Sequence, residues 1–222
     1  MPSTFNRQEF CEQLDAIKTA AQNGDLAALQ CLHKDLMAQH NGFIDDSNAR
    51  ALLQNDPISL AAQYGHLECV RFLVPWSDLQ NPWNNALIRA VENGRIECLN
   101  ILLPHCNEEA IGDVLVAGAY HQQWRCVNLI FDSLNETNLS ETFDDLHEDL
   151  CTTLLWASQY QQYDLIQRLY PLCDIDHVLE YARGRWDDHE LLALTEYHTS
   201  VQQKQLLTSV VERPQTSRRS KM

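Results

Sequence analysis

The segment DPISLAAQYGHLECVRFLVPWSD (56–78) contains two short apolar patterns separated by a glycine. Its second half places apolar residues three to four positions apart, which is the spacing of one buried helical face. Asp56 followed by Pro57 is typical of a helix start, because a capping oxygen accepts from free amides and proline tolerates the first helical position. Pro75 is expected to end the second pattern. The segment therefore predicts two short helices joined by a turn at Gly65.

The same pattern recurs along the chain. NALIRAVENGRIECLNILLPHCN (85–107) aligns with the first segment without a gap, so that glycine lies over glycine and cysteine over cysteine. Weaker copies occur at residues 15–32, 113–135 and 152–174. Helices of about ten residues are marginal alone in water. Stacked repeats bury a continuous core, so we expect each repeat to depend on its neighbours.

These repeats define the predicted organisation. We expect one repeat domain over residues 1–211, followed by a disordered basic tail at 212–222. Each repeat begins with a residue that can cap a helix, although the first lies within a longer predicted helix. The predicted repeat starts, including a weaker sixth repeat, are Asp15, Asp56, Asn85, Asp113, Thr152 and Asp176.

The repeat resembles the ankyrin repeat family. Gly65-His66-Leu67-Glu68 matches the family's Gly-His-Leu-Glu signature, and Asp56-Pro57 takes the place of its Thr-Pro. The central repeats are 28 to 29 residues apart, whereas ankyrin repeats are about 33 residues long. The resemblance therefore implies an all-α solenoid of stacked helix-turn-helix repeats in which the β-hairpin fingers are trimmed or absent.

A histidine three residues before a cysteine raises the question of a catalytic thiol. Cys69, Cys98 and Cys126 share one column of the repeat, where the resemblance implies a small apolar residue packed between helices. A free cysteine behaves there as a small buried hydrophobe. The His66 column holds Asp25, Arg95 and Gln123 in other repeats, so no base accompanies the thiol.

No other pattern indicates an enzyme or a cofactor. The chain contains no GxGxxG, GxxxxGK[ST], GxSxG or HExxH motif. His147 and Cys151 are four residues apart on a predicted helix, a spacing that can place two metal ligands on one face. Two side chains do not make a zinc site, and a solvated helix face is the alternative. We predict a protein with no catalytic residue, cofactor or metal.

Charge limits the possible partners. The chain has 16 Lys and Arg against 31 Asp and Glu, and four of the basic residues lie in the tail 212–222. Such an acidic body repels nucleic acid phosphates, because binding to them depends on cationic side chains. A protein with a basic surface would be attracted instead. We expect the chain to bind such a protein, to bind neither nucleic acid nor a membrane, and to be a monomer on its own.

Localisation follows from what the sequence lacks. No apolar run approaches the roughly 18 residues of a membrane-spanning helix, and residues 1–20 show no uninterrupted apolar region of a signal peptide. Eight cysteines are spread along the chain without a CxxC pair, which argues against a small disulfide scaffold. We expect a cytoplasmic protein, or alternatively one secreted into a host cell.

The resemblance also implies a binding groove. The two residues before each turn are expected to point into its concave side, and three repeats place a tyrosine there. Tyrosine is enriched in energetically important parts of interfaces. The alternative is that these rings pack between neighbouring repeats. The predicted groove residues are Gln22, Asn23, Gln63, Tyr64, Glu92, Asn93, Tyr120, His121, Gln159 and Tyr160.

The tryptophans and the acid-rich segment can also be interpreted from their places in the repeats. Trp76 and Trp83 lie where the family has its hairpin, either as a lid on a short loop or as an exposed anchor. Trp124 and Trp156 align with leucines and are predicted to be core residues. The acid-rich segment 132–149 is either solvated or forms a ridge that faces a basic partner. Its predicted binding residues are Asp144, Asp145, Glu148 and Asp149.

The sequence leads to a non-catalytic protein-binding module. Its most concrete form is an acidic bacterial immunity or inhibitor protein that neutralises a basic toxin or enzyme. An effector delivered into a eukaryotic host is the first alternative, and a metal-dependent hydrolase that uses His147 is the second. Whether a partner binds the groove or the convex face stays open at this point.

Overall fold

The computed structural model describes residues 7–39, 56–79, 85–136, 146–183 and 185–211. Trp83, Asp144, Asp145 and the predicted tail 212–222 lie outside these residues. The chain divides into two compact units, Met1–Thr153 and Leu154–Met222. The boundary falls within a helix, and the prediction of a single domain over 1–211 stays a prediction.

The described residues form helices and turns and contain no strand, which confirms the all-α prediction. The first unit holds α1 (Arg7–Asn23), α2 (Leu26–Gln39), α3 (Asp56–Tyr64), α4 (Leu67–Leu73), α5 (Ala86–Glu92), α6 (Ile96–Leu102), α7 (Glu108–Tyr120), α8 (Trp124–Glu136) and the first half of α9 (His147–Gln159). The second unit holds the rest of α9, α10 (Tyr163–Leu169), α11 (Ile175–Ala182) and α12 (Leu192–Val211).

Successive helices pair within a repeat, and repeats stack in the first unit. The inner helices α1, α3, α5 and α7 each pack against the next in that order. The outer helices α2, α4, α6 and α8 form a second row in the same way. This arrangement confirms the predicted solenoid of helix-turn-helix repeats.

Small side chains allow the inner helices to approach closely. Ala61 and Ala90 are fully buried at equivalent positions, and Gly118 occupies that position in the fourth repeat. A Cβ atom at Gly118 would lie 3.0 Å from a methyl group of Val91 on the neighbouring inner helix α5. Larger residues fill the space between inner and outer helices, among them Leu73, which is 1% exposed.

The predicted helix ends before Pro75, Pro104 and Pro171 are confirmed. Helices α4, α6 and α10 end at a buried leucine, and a proline follows within a turn of 3₁₀ helix. The next side chain then satisfies a free carbonyl of the helix end. The Ser77 hydroxyl donates to the Leu73 carbonyl at 3.0 Å, and the Cys106 thiol donates to the Leu102 carbonyl at 3.3 Å.

Three of the predicted helix caps are wrong. Asp113 and Thr152 lie inside α7 and α9, because both helices begin about one turn or more earlier than the central repeats suggest. Asn107 caps α7 by accepting from the Ala110 amide at 3.0 Å. Asp174, rather than Asp176, caps α11 by accepting from the His177 amide.

The other predicted repeat starts and the two tryptophans predicted to be core residues agree with the structure only in part. Asp15 lies within α1, as the longer predicted helix required, and Asn85 precedes α5 without a side-chain capping bond. Trp124 and Trp156 are half-buried, so the prediction that they are core residues is wrong in degree. The Trp156 ring meets the edge of the half-buried Trp186 ring at 5.0 Å.

Candidate functional site

Among the residues that the structure describes, five turns join helix pairs, and all have the same left-handed backbone. A positive φ angle occurs at Gly24 (72°), Gly65 (80°), Gly94 (64°), Gln122 (58°) and Gln161 (55°). In each turn this residue donates its amide to the carbonyl three residues back, and the next residue donates to the carbonyl five residues back. These bonds form the Schellman motif, which satisfies carbonyls at a helix end. The shared geometry confirms the predicted register of the two repeats without a turn glycine.

A side chain just after the turn links each of the first four turns to its neighbour. His66 Nε2 lies 2.9 Å from the Gln22 carbonyl oxygen, and a bond there requires the proton on Nε2. Arg95 Nε donates to the Gln63 carbonyl at 3.1 Å. Gln123 Nε2 donates to the Glu92 carbonyl at 3.3 Å. Three different side chains thus perform the same task at one position of the repeat.

The cysteine column is structural, as predicted. Cys69, Cys98 and Cys126 are each 1% exposed. Burial raises the pKa of the Cys69 thiol, and the carboxylates of Asp25 and Glu68 raise it further. A thiol whose pKa is raised is a poor nucleophile, because the thiolate is the reactive form. His66 is held by a neighbouring turn instead of serving as its base.

The linked turns carry a row of exposed or half-buried side chains. We call this the turn row, and it comprises Gln22, Asn23, Gln63, Tyr64, Glu92, Asn93, Tyr120 and His121. Tyr64 is 43% exposed and Tyr120 is 58% exposed. The Gln22 amide donates to the Tyr64 hydroxyl at 3.4 Å. The Tyr120 ring meets the edge of the His121 ring at 5.0 Å. Both tyrosines therefore present ring surface to solvent.

Glu92 lies in the middle of the turn row between two basic side chains. Its Oε2 lies 3.3 Å from Arg89 Nη1, and its Oε1 lies 3.7 Å from His121 Nε2. Asn93 donates its side-chain amide to the Arg89 carbonyl at 2.9 Å. The Glu92 carboxylate is thus already paired with Arg89 within the protein.

The predicted site residues of the second unit are engaged within that unit. The Gln159 amide donates to Glu190 Oε1 at 2.7 Å. The half-buried Tyr160 ring stacks 6.4 Å from the Trp156 ring. Glu190 and Asp187 also form a reciprocal capping box, in which each side chain accepts from the other's amide. Sequence reasoning missed this box, although the spacing Asp-x-x-Glu before an apolar run indicates it.

Trp76 packs on the outer helix of the preceding repeat. Its half-buried ring lies 4.4 Å from the His33 ring, which also meets the edge of the Phe72 ring at 5.4 Å. Burial lowers the pKa of His33, because it disfavours the charged imidazolium. This placement favours the interpretation of Trp76 as a lid over that of an exposed anchor.

The acidic residues near the start of α9 lie close to α7. A Cβ atom added at Gly112 would collide with the Asp149 carboxylate, so the two helices are in direct contact there. Burial raises the pKa of Asp149, and the negative charges of Asp113 and Glu148 add to this shift. Three carboxylates therefore repel one another at this end of the first unit.

The pair at His147 and Cys151 has no third ligand among the residues that the structure describes. The Cys151 sulfur lies 3.8 Å from both ring nitrogens of His147. In the described ranges, no group of three or more His, Cys, Asp or Glu side chains converges to hold a metal ion. Across the same ranges, no helix has the length and apolarity needed to cross a membrane.

Comparison with known proteins gives two matches. The family described as ankyrin repeats, in three copies, matches residues 17–113. A Caenorhabditis elegans protein named Ankyrin repeat and KH domain-containing protein mask-1 is 25% identical over 154 residues. The match covers 68% of this chain but 5% of that relative's length. No solved structure matches the chain.

Proposed function

Residues 17–113 match the ankyrin repeat family in three copies, and on that premise we propose that the chain is an acidic module that binds a basic protein through its turn row. Ankyrin repeats are protein-interaction modules whose stacked units present an extended concave surface. The observation that carries the proposal is the turn row, in which linked turns hold the exposed Tyr64 and Tyr120. Rigid aromatic side chains give large contact area at low entropic cost.

The charge of the first unit supports a basic partner. Residues 1–153 contain eight Lys and Arg against 22 Asp and Glu, a formal net charge of −14 out of −15 for the chain. Complementary potential speeds association and disfavours partners of like charge. The more specific form of the proposal is an immunity or inhibitor protein that covers a basic toxin or enzyme.

Affinity capture with paired tyrosine variants tests the binding proposal. The immobilised chain is expected to capture a basic protein from the cells that make it. Tyr64→Ala combined with Tyr120→Ala should reduce capture by about tenfold or more, since such residues contribute strongly to interfaces. Tyr163→Ala combined with Tyr181→Ala is the matched control, because those rings are 49% and 50% exposed in the second unit.

The following results test the binding proposal first and its more specific inhibitor form last. Capture of an acidic partner, or equal loss in both double variants, would contradict the proposal. Association should also slow as salt is raised from about 0.05 to 0.5 M, because exposed charges are screened over shorter distances. If the captured protein is an enzyme or toxin that keeps its activity when saturated with this chain, the inhibitor form is wrong while the binding module stands.

A further inference from the structure

One position of the outer row carries a histidine in the first repeat and an apolar residue in each of the next three. Counted from the turn residue, His33 of α2 is equivalent to Val74, Leu103 and Phe131. Leu103 and Phe131 are buried, and His33 itself is only 6% exposed. A titratable ring therefore occupies a position that the following repeats fill with apolar side chains.

The second repeat encloses the His33 ring. The ring centroid lies 4.4 Å from that of Trp76 and 5.4 Å from that of Phe72. The Nε2 atom is shut off from solvent and has no hydrogen-bond partner among the described residues. A buried polar atom without a partner already costs free energy, and a positive charge at the same place costs far more.

Within the described residues, no charged group compensates for a second proton on this ring. No ion pair there involves His33, and burial is the one cause that lowers its pKa. Thiols on the surrounding helices, which are Cys11, Cys31 and Cys69, carry no charge in the acidic range. The charged or titratable side chains of α2 and of the elements packed against it are all exposed or half-buried, namely Glu9, Glu12, Asp15, Lys18, Asp25, Lys34, Asp35, His66, Glu68, Arg71 and Asp78.

The contact that holds His33 joins the first repeat to the second. Helix α2 packs on α1 of its own repeat and on α4 of the next. In a solenoid each repeat is supported only by its neighbours. A weaker contact between α2 and α4 therefore loosens the outer half of the first repeat, while α1 keeps its own packing on α3.

We propose that this junction is a pH-sensitive switch, in which protonation of His33 expels its ring from between Phe72 and Trp76 and separates α2 from α4 in acid. Folding disfavours the charged form of the ring, so the ring supports the fold while it is neutral. That support is complete above the ordinary pKa of 6.5 and is lost as the pH falls below this value. The switch operates whether or not the turn row binds a partner.

NMR titration of the histidine ring signals tests the switch in the unaltered chain. The signal that disappears in His33→Leu identifies the ring. His33 should titrate at a lower pH in the folded chain than in the same chain unfolded in urea, because burial disfavours the imidazolium. Titration at the same or a higher pH would overturn the switch. A higher value would mean that the aromatic rings hold the cation in place.

Hydrogen exchange measures the opening itself. His33→Leu supplies the residue that the third repeat has at this position and cannot take up a proton. From about pH 7.5 to 5.0, the ratio of parent to variant exchange rates in α2 should rise by about threefold to thirtyfold, since tenfold per pH unit below 6.5 is the upper limit. The same ratio in α6 should change by less than about twofold, because local openings are independent of distant repeats.

His105→Gln is the matched control, since it removes an exposed imidazole and should respond to acid as the parent does. A ratio in α2 that does not change with pH, or an equal change in α2 and α6, would contradict a switch at this junction. Should His33→Leu fail to fold, His33→Phe introduces the residue of the fourth repeat, and the titration of the parent still decides the outcome.

Discussion

Of the five described turns that join helix pairs, three contain glycine and two contain glutamine, although all five have the same left-handed backbone. The difference lies in the neighbouring side chain. A Cβ atom at Gly24 would lie 2.5 Å from the His66 ring, and one at Gly94 would lie 2.8 Å from the Gln123 side chain. Each turn glycine therefore lies beneath a side chain that crosses from the next repeat.

The glutamine turns show that the backbone alone does not require glycine. A left-handed conformation costs a residue with a Cβ atom about 1–2 kcal/mol. Gln122 and Gln161 adopt it nevertheless. At the last turn, Gln162 donates to the Tyr160 carbonyl of its own turn at 3.0 Å. Glycine is thus retained where the backbone angle and the crossing side chain act together.

The largest effect is expected from core substitutions, which compare a repeat that has a glycine turn with one that has a glutamine turn. Leu73 follows a glycine turn and Leu169 follows a glutamine turn, and both are 1% exposed or less. Leu73→Ala and Leu169→Ala should each lower the free energy of unfolding by about 2–5 kcal/mol, because each leaves a cavity. Urea denaturation followed by circular dichroism measures both. A loss for Leu73→Ala alone would mean that the glutamine-turn repeat has a weaker core.

Gly24→Ala should destabilise the protein by about 2–3 kcal/mol. The new Cβ atom adds the left-handed penalty and displaces His66 from the Gln22 carbonyl. A double-mutant cycle with His66→Ala separates these causes. Once the ring is removed, the same glycine substitution should cost about 1 kcal/mol less. Additive losses would show that the crossing side chain does not explain the glycine.

The comparison extends to the segment after each outer helix, where Ser77 and Cys106 occupy equivalent positions. Burial raises the pKa of Cys106 from 9.0 to about 12. Its stabilising contribution is thus present below pH 9 and is lost as the pH rises toward 12. Cys106→Ser keeps a donor for the Leu102 carbonyl but removes this titration. The variant should lose less stability than the parent between about pH 8 and 10.5, by at most about 2 kcal/mol.

Unfolding free energies at these two pH values test that expectation. Cys11→Ser is the matched control, since it changes an exposed thiol and should leave the pH dependence as it is. The other buried thiols titrate equally in the parent and both variants. An identical alkaline loss for the parent and Cys106→Ser would rule out a contribution from Cys106.

The smallest expected effect is a stabilisation. Gln122→Gly removes the left-handed penalty but adds chain entropy in the unfolded state, which leaves a net gain of about 0.5–1 kcal/mol. Gln30→Gly makes the same change at an exposed position inside α2, where it should cost about 1 kcal/mol. A loss of stability at Gln122 would indicate that its side chain makes a contact that glycine cannot replace.

The repeat columns could be predicted because each has one physical cause. Buried cysteines, turn glycines and terminal prolines each recur in three repeats, at the same place in the pair of short helices. Alignment alone therefore located Gln122 and Gln161 as turn residues. The helix starts were less predictable, since Asp113 and Asn107 are both good capping residues and local composition does not decide between them.

The links between turns could not be predicted from residue type. His66, Arg95 and Gln123 share neither charge nor shape, and what they share is a donor that reaches a main-chain carbonyl. The contacts of the second unit could not be predicted for another reason. Residues after Cys173 lose the repeat pattern, so the bond between Gln159 and Glu190 had no counterpart in the alignment.

The acceptors of those links have a consequence for how the protein can change. Gln22, Gln63 and Glu92 receive the crossing side chains through their backbone oxygens, which every amino acid possesses. Their own side chains are left out of the link. Recognition of a new ligand could therefore evolve at these positions by substitution, while the scaffold beneath them keeps its alignment.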